Sequence, residues 1–207
     1  MAMLLSLLNH LKRVDDEVRK GIWERAGNRG YELKGKTVAI IGYGNMGAAF
    51  ARRLAGFEVE IIAFDKYKSN YGSEIVKESN WTEIYEKADV ISLHVPQAED
   101  TFHLINEDRI RNMKKPFYLI NTARGSIVNT HDLINALESG KILGACLDVL
   151  EFEGSSFEQL DDSNADFKRL LKSEKVMLSP HIAGWTHESY IKLAEFLFKK
   201  IEAHFLN

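Results

Sequence analysis

The sequence has little of what marks several large protein classes. It contains one cysteine and three prolines in 207 residues, and its formal net charge is only −3. Because Cys146 has no partner, no disulfide can form within the chain, which is typical of proteins from a reducing cytoplasm. The few prolines and the ordinary glycine content exclude collagen-like and Pro-rich classes. The composition that remains is typical of a soluble globular protein.

The charges and the apolar runs also exclude several partners. Lys and Arg are scattered among Asp and Glu, so no basic surface for nucleic acid or an acidic membrane is indicated. Residues 1–8 are apolar, but charged residues follow at once, without the basic leader or small-residue cleavage site of a signal peptide. We therefore expect a cytoplasmic protein with no nucleic-acid partner, no membrane partner and no metal site.

The hydrophobic pattern predicts a Rossmann-type α/β fold. Short, almost continuously apolar runs alternate with helical stretches, as in parallel strands that are buried on both faces. This alternation predicts a doubly wound parallel sheet of about six strands with flanking helices. The predicted strands are 37–41, 58–64, 89–95, 117–120, 143–147 and 175–178. Helix starts are indicated at Thr82, Asn106 and Thr130, and a helix end at Gly140.

The length predicts one domain over 1–207. Residues 1–20 have the pattern of an amphipathic helix that needs a surface to lie against, and 186–207 that of a closing helix. The acidic segment 151–174 interrupts the alternation, and we expect a long surface excursion with a short helix at 167–171.

A GxGxxG turn directly follows the first predicted strand. Gly42 allows the tight turn, Gly44 lets a pyrophosphate approach the backbone, and Gly47 lets the following helix pack on its strand. The amides at the start of that helix then face the phosphates. A Gly-rich turn without a ligand is the alternative, since this motif alone is weak.

An acid at the end of the next strand favours the dinucleotide interpretation. Asp65 stands near the position where such folds hold the adenosine ribose. A carboxylate there accepts hydrogen bonds from ribose hydroxyls and repels a 2′-phosphate, which predicts NAD rather than NADP. Lys66 and Lys68 weaken that preference, although a solvated basic edge is the simpler interpretation of both.

Three polar residues follow the later strands, where open α/β sheets bind ligands. They are Arg124 after the fourth strand, Glu153 after the fifth and His181 after the sixth. The spacing does not show that they converge. For any one of them, a surface salt bridge or a helix cap is the commoner role.

Four sequence blocks resemble the signatures of the D-isomer-specific 2-hydroxyacid dehydrogenase family, which includes phosphoglycerate dehydrogenase-like enzymes. The blocks are Asn121-Thr122-Ala123-Arg124-Gly125, Leu147-Asp148-Val149-Leu150-Glu151-Phe152-Glu153, Ser179-Pro180-His181-Ile182-Ala183-Gly184, and Leu93-His94-Val95-Pro96 with Thr101. The resemblance covers the chain from its first helix to its end. It implies an oxidoreductase that transfers hydride between NAD and a D-2-hydroxy acid, acting on the CH–OH group.

The resemblance implies a role for each of the three polar residues. Arg124 would bind the carboxylate and carbonyl of a small 2-hydroxy acid. His181 would be the acid/base that exchanges the hydroxyl proton, and Glu153 would hydrogen-bond its imidazole.

The resemblance also implies NAD contacts from residues outside the glycine turn. They are Asn45, Met46, Val95, Pro96, Thr122, Ala123, Arg124, Asp148, His181, Ala183 and Gly184. Trp185 either walls the nicotinamide pocket or simply packs.

The chain departs from the family pattern in length and at one position. Members of the family are about half as long again, so most of the substrate domain is expected to be absent and the isolated chain inactive. Residues 1–20 then resemble the interdomain and dimerisation helix, which predicts a homodimer. Gly154 replaces the usual proline and makes the placement of Glu153 less secure. A stand-alone NAD(H)-sensing regulatory module is the competing hypothesis, but a sensor has no need of a proton-exchanging histidine.

Overall fold

A parallel sheet forms the centre of the computed structural model, which describes residues 1–154 and 164–205. Its seven strands within those ranges are β1 Thr37–Ile41, β2 Glu60–Phe64, β3 Lys77–Glu78, β4 Val90–Leu93, β5 Phe117–Asn121, β6 Ile142–Leu147 and β7 Val176–Leu178. They lie in the order β3-β2-β1-β4-β5-β6-β7, and every pair is parallel. The doubly wound Rossmann-type sheet is confirmed.

The helices in the described ranges are α1 Ala2–Leu8, α2 Leu11–Arg19, α3 Asn45–Leu54, α4 Trp81–Lys87, α5 Glu107–Asn112, α6 Thr130–Glu138, α7 Ala165–Lys172 and α8 His187–Phe205. Those with buried residues, which are all except α2 and α8, cover the two faces of the sheet. Successive residues of β1 alternate between two cores, because side chains of a strand point to opposite faces in turn. Val38 and Ile40 pack in the core that contains residues of α1 and α3. Ala39 and Ile41 pack in the core that contains residues of α4 to α7.

Cys146 lies inside this apolar packing. Its side chain is fully buried on β6, and burial raises the pKa of the thiol to about 12. The thiol therefore stays protonated at neutral pH and is a core group, since cysteine reactivity requires the thiolate.

Several predicted boundaries shift in the structure. The short β3 has no counterpart among the predicted strands, because two polar residues carry no apolar signal. Helix α4 is capped by the side chain of Asn80, not by Thr82, and α6 by Asn129, not by Thr130. Asn106 caps α5 as predicted.

The single helix predicted over residues 1–20 is two helices. His10, at φ +53°, takes the left-handed conformation and separates α1 from α2. Leu4 and Leu8 of α1 are buried against the chain's own sheet, in the core that also holds Cys146. Helix α2 has no buried residue. The apolar surface of this region that remains exposed is therefore on α2.

The excursion predicted at 151–174 is partly packed. Helix α7 begins after the Asn164 cap, and its Phe167 and Leu170 are buried. It is longer than the helix predicted at 167–171. Residues 155–163 lie outside the described residues.

Helix α8 confirms the helix predicted near the end of the chain but does not close the core, because none of its described residues is buried. Its exposed large apolar side chains are Tyr190, Ile191, Leu193, Phe196, Leu197, Phe198, Ile201 and Phe205. Within the described ranges, no helix combines the length and the apolar character that a membrane span requires.

Candidate functional site

The polar residues of interest gather at one edge of the sheet because all strands are parallel. Backbone hydrogen bonds continue past the strand ends: the amide of Gly42 donates to Phe64 at 2.8 Å, and that of Asp148 donates to Asn121 at 3.0 Å. The segments that follow β1, β2, β4, β5, β6 and β7 therefore start at a common edge. This is the edge where open α/β sheets bind ligands.

The three positions of the turn are occupied by glycine for different structural reasons. Gly42 has φ +91°, and a Cβ there would lie 2.7 Å from the carbonyl oxygen of His94. A Cβ on Gly47 would lie 2.1 Å from the carbonyl oxygen of Gly42. Gly44 has an ordinary φ of −81°, and a Cβ there would meet no atom within 4 Å. Packing thus explains Gly42 and Gly47, whereas Gly44 leaves open space in front of α3.

The start of α3 is exposed at that opening. Gly44 is the N-cap and supplies no side-chain hydrogen bond, and the next two residues, Asn45 and Met46, are exposed. Helix N-termini carry amide donors and a partial positive charge, which suits a phosphate.

Asp65 is held in place by the turn and by its own loop. Its Oδ2 accepts a hydrogen bond from the amide of Tyr43 at 2.8 Å, and its Oδ1 accepts from the amides of Tyr67 at 2.9 Å and Lys68 at 3.1 Å. A carboxylate offers about four acceptor positions, so capacity remains for a sugar hydroxyl. The backbone amides fix the orientation of the carboxylate beside the glycine turn.

A cleft of about 190 Å³ lies between these residues and the segment after β4. Its walls are Ile41, Gly42, Gly44, Phe64, Asp65, Lys66, Tyr67, His94, Val95, Pro96, Ala98, Asp100, Thr101 and Leu104. Thr101 shapes the far wall, because its hydroxyl donates to the carbonyl of Pro96 at 2.7 Å and accepts from the amide of Ala98 at 2.8 Å. The cleft thus joins Val95 and Pro96, predicted only from resemblance, to the glycine turn.

His94 forms part of the wall of this cleft. Its imidazole contacts the hydroxyl of Ser92 at 2.9 Å and packs beside the ring of Phe50. Burial lowers the pKa of His94 to about 4, so the ring is neutral at physiological pH. Its place behind Gly42 gives this histidine a structural role.

The turn after β5 presents Arg124. The buried side chain of Asn121 fixes that turn, since its Oδ1 accepts from the amide of Ala123 at 3.1 Å and its Nδ2 donates to the carbonyl of Arg124 at 2.9 Å. A Cβ on Gly125 would lie 2.0 Å from the carbonyl oxygen of Leu150, so the turn packs directly on the segment that leads to Glu153. Arg124 is exposed, and its guanidinium donates to the carbonyl of Ala123 at 2.6 Å.

Glu153 and His181 form a hydrogen-bonded pair. Oε2 of Glu153 lies 2.8 Å from Nδ1 of His181, and Oε1 accepts from the amide of Leu150. Both side chains are largely buried, with exposed fractions of 14% and 25%. His181 has φ +55°, and its amide donates to the carbonyl of Asp148 at 2.7 Å. The structure therefore brings together two residues that the sequence could only place on separate strand ends.

Asp148 organises the loop that carries His181. Its carboxylate is buried and accepts hydrogen bonds from the amides of Ile182 and Ala183, both at 2.9 Å, and from the hydroxyl of Ser179. The resemblance implied a cofactor contact for Asp148. In the structure its carboxylate accepts from the backbone amides of Ile182 and Ala183 and from the Ser179 hydroxyl, a role that the sequence did not indicate.

The remaining predicted contacts line the same edge with differing exposure. Thr122 and Ala123 are half-buried in the Arg124 turn, whereas Ala183 and Gly184 are exposed after His181. Trp185 is also exposed and packs edge-on against Tyr190 at a ring distance of 5.0 Å.

These features fit a dinucleotide. The open space at Gly44, the exposed start of α3 and the fixed carboxylate of Asp65 provide for a diphosphate and a ribose, and the cleft beside them is walled largely by apolar side chains. Fold and site together define a Rossmann-type dinucleotide-binding domain.

The chain belongs to the D-isomer specific 2-hydroxyacid dehydrogenase family. Residues 1–183 match the model of the family's NAD binding domain. The predicted family and the predicted cofactor, NAD, are thereby confirmed.

Named relatives agree with this assignment. Over 98% of its length, the chain is 38% identical to glyoxylate reductase of Thermofilum pendens and 34% identical to D-lactate dehydrogenase of Treponema pallidum. It covers 59% and 62% of those two proteins. The crystal structure of D-lactate dehydrogenase from Aquifex aeolicus, complexed with NAD and lactic acid, superposes with a TM-score of 0.84 at 35% identity, covering 98% of this chain and 63% of that one.

Two points follow from the comparisons. The chain spans about three fifths of the length of the relatives it matches. These relatives are oxidoreductases, and the competing hypothesis of a stand-alone regulatory module finds no support among them.

Proposed function

We propose that this chain is the NAD(H)-binding part of an oxidoreductase that interconverts a D-2-hydroxy acid and the corresponding 2-oxo acid. The observation that carries the proposal is the Glu153–His181 hydrogen bond of 2.8 Å, at the same sheet edge as the glycine turn. A dinucleotide site alone needs no such pair. A buried carboxylate oriented toward an imidazole is the arrangement that proton transfer uses.

His181 is the acid/base in this proposal. When bound, the cofactor would supply the redox chemistry, NAD as acceptor of the hydride from C2 of the hydroxy acid and NADH as its donor in the reverse direction. His181 takes the hydroxyl proton in oxidation and returns it in reduction. Glu153 binds Nδ1 and so assigns proton exchange to Nε2, while it stabilises the imidazolium that forms.

Arg124 binds the substrate anion in this proposal. Its guanidinium is exposed at the sheet edge, on a turn fixed by Asn121 and Gly125. A planar, permanently charged fork suits a carboxylate and the neighbouring carbonyl oxygen, and it polarises that carbonyl toward hydride addition. The substrate class is therefore a small 2-hydroxy or 2-oxo acid, as the names of the relatives suggest.

The cofactor contacts assigned by residue are part of the same proposal. Gly42, Gly44, Asn45, Met46 and Gly47 would hold the diphosphate, and Asp65 the adenosine ribose. The other proposed contacts are Val95, Pro96, Thr122, Ala123, Arg124, Asp148, His181, Ala183 and Gly184.

Purified protein tests the proposal in two steps. NADH added to the 207-residue chain should change its fluorescence or raise its melting temperature, with little or no turnover by this chain alone. In a protein that also contains the region matching the rest of the relatives, His181→Ala should lower the reduction of 2-oxo acids by about 10² to 10⁴-fold. His187→Ala, an exposed histidine on α8, is the control. Undiminished reduction by His181→Ala would remove that residue from its assigned role.

We also propose a cytoplasmic homodimer. The lone cysteine supports the compartment. Leu11 and Val18 of α2, each about half exposed, and the exposed apolar residues of α8 support contacts through residues 1–20 and 186–207 with another domain or a second copy. Sedimentation at micromolar concentration should give twice the mass of the chain; a monomeric mass would contradict the dimer.

A further inference from the structure

Two lysines next to Asp65 weaken the preference for NAD over NADP that the sequence predicts. An acid at the end of the second strand favours a ribose hydroxyl, whereas cations nearby favour a 2′-phosphate. Lys66 and Lys68 directly follow this region, and both are exposed. What these ammonium groups contact in the folded chain decides which of the two effects prevails.

Both ammonium groups have partners in the structure. Nζ of Lys66 forms an ion pair with Oδ2 of Asp100, which is 34 residues away in the sequence. The hydroxyl of Tyr67 donates to the same carboxylate oxygen at 2.9 Å. Nζ of Lys68 donates to the carbonyl of Tyr43 at 3.1 Å.

The Lys66–Asp100 pair belongs to the cleft that holds Asp65. Lys66, Tyr67 and Asp100 all line it together with Asp65 and Gly44. Asp100 reaches it from the segment after β4, in a short 3-10 turn over Glu99–Thr101 that the hydroxyl of Thr101 fixes. The pair therefore stands at the ribose end of the cleft.

We propose that Asp100 is a specificity-determining residue for the cofactor: it holds Lys66 in an ion pair and so disfavours binding of a 2′-phosphate. Asp100 acts through Lys66, because the ion pair occupies the ammonium group that would otherwise bind the phosphate. The inference rests on the proposed function only in that the cleft takes a nicotinamide dinucleotide.

The expected size of the change in NADPH affinity follows from the solvent exposure of Lys66 and Asp100. The side chains of Lys66 and Asp100 are 58% and 34% exposed, so solvent screens their interaction. Asp100→Asn keeps the shape and can still accept from Tyr67. It should tighten NADPH binding about threefold to fivefold at low ionic strength and leave NADH binding within about twofold. High salt should reduce the gain.

Equilibrium titrations of NADH and NADPH into four proteins test the inference. They are wild type, Asp100→Asn, the charge-matched control Glu99→Gln, and the double variant Lys66→Met with Asp100→Asn. We expect the NADPH gain in Asp100→Asn, little change in Glu99→Gln, and loss of the gain in the double variant.

Three outcomes would overturn the inference. They are an unchanged ratio of the two dissociation constants in Asp100→Asn, an equal gain in Glu99→Gln, and a gain that survives loss of Lys66. If wild type binds neither nucleotide, dinucleotide binding itself fails, and the inference fails with it. If NADH binds to wild type but the ratio does not move, only the role of Asp100 is refuted.

Discussion

Nδ1 of His181 lies 2.8 Å from Oε2 of Glu153, across 28 positions of sequence. The other oxygen of Glu153 accepts the amide of Leu150, and the carbonyl of Leu150 is the atom that excludes a side chain at Gly125. The pair is thus linked through one backbone segment to the turn that presents Arg124. The three proposed catalytic residues depend on the same local packing.

Glu153 is testable as a positioning residue. A glutamine at this position cannot accept from both the amide of Leu150 and the imidazole, because one of its two terminal atoms is a donor. Glu153→Gln should therefore lower kcat for 2-oxo acid reduction about 10²-fold in the protein with its substrate region, while the NADH dissociation constant stays within about twofold. Glu153→Asp should recover part of kcat. An equal loss of NADH affinity would indicate a merely structural role.

Substitutions at two glycines of the turn, Gly44 and Gly47, test a binding role separately from a packing role. Gly44→Ala places a methyl group in open space, so unfolding should become easier by at most about 1 kcal/mol, the cost of a poorer N-cap. NADH affinity should fall by about tenfold or more, because the methyl group occupies the space in front of the amides. Calorimetry and NADH titration measure the two effects.

Gly47→Ala is the matched comparison for Gly44→Ala. Its Cβ would lie 2.1 Å from the carbonyl oxygen of Gly42, so the helix must move, at a cost of about 3 kcal/mol in stability. If Gly44→Ala binds NADH as wild type does, the diphosphate does not lie at this turn.

Asp148 should control the order of the loop that carries His181. Asp148→Asn replaces one buried acceptor by a donor that faces an amide or hydroxyl donor, which should cost about 2 kcal/mol. Hydrogen exchange at the amides of Ile182 and Ala183 should accelerate. Asp16→Asn on exposed α2 is the control. Unchanged hydrogen exchange at both amides in Asp148→Asn would contradict this role of Asp148.

Stability should fall as pH decreases from about 6.5 to about 4. Burial is the main cause that lowers the pKa of His94 from 6.5 to about 4, so the unfolded state binds a proton first in this range. The contribution of His94 is fully present above the unfolded pKa and is lost as pH falls toward the folded pKa. The change between pH 7 and pH 5 should be roughly 1 to 2 kcal/mol.

Urea unfolding of His94→Gln at several pH values measures this contribution. The variant should lose less stability than wild type over the same range, while the exposed-histidine control His187→Gln should follow wild type. Identical pH profiles for His94→Gln and wild type would refute the assignment to His94.

Glu83 gives a second range of pH-dependent stability, at lower pH. Hydrogen bonds from Lys77 and Lys87 lower the pKa of its carboxyl from 4.5 to about 2. Its contribution to stability is present above about pH 4.5 and is lost as pH falls toward 2.

The sequence by itself determined the fold, the family and every strand except β3. Strands buried on both faces must be apolar throughout, so six of the seven strands were predicted within two residues of their ends, and β1 coincided with its prediction. The glycine turn and Asp65 were also predicted, because the tight turn, the close packing of the helix and the binding of a dinucleotide favour those residue types at that spacing. The sequence blocks that resemble the family's signatures predicted roles for Arg124, Glu153 and His181.

Only the tertiary structure decided which groups meet. The break of the first helix depends on the left-handed backbone of His10, and the burial of α1 depends on the sheet beneath it. The capture of Lys66 by Asp100 and the use of the Asp148 carboxylate by the His181 loop join segments more than thirty residues apart. Local pattern cannot report such contacts, because their geometry is set by how the strands are ordered in the sheet and by the loops at their carboxyl ends.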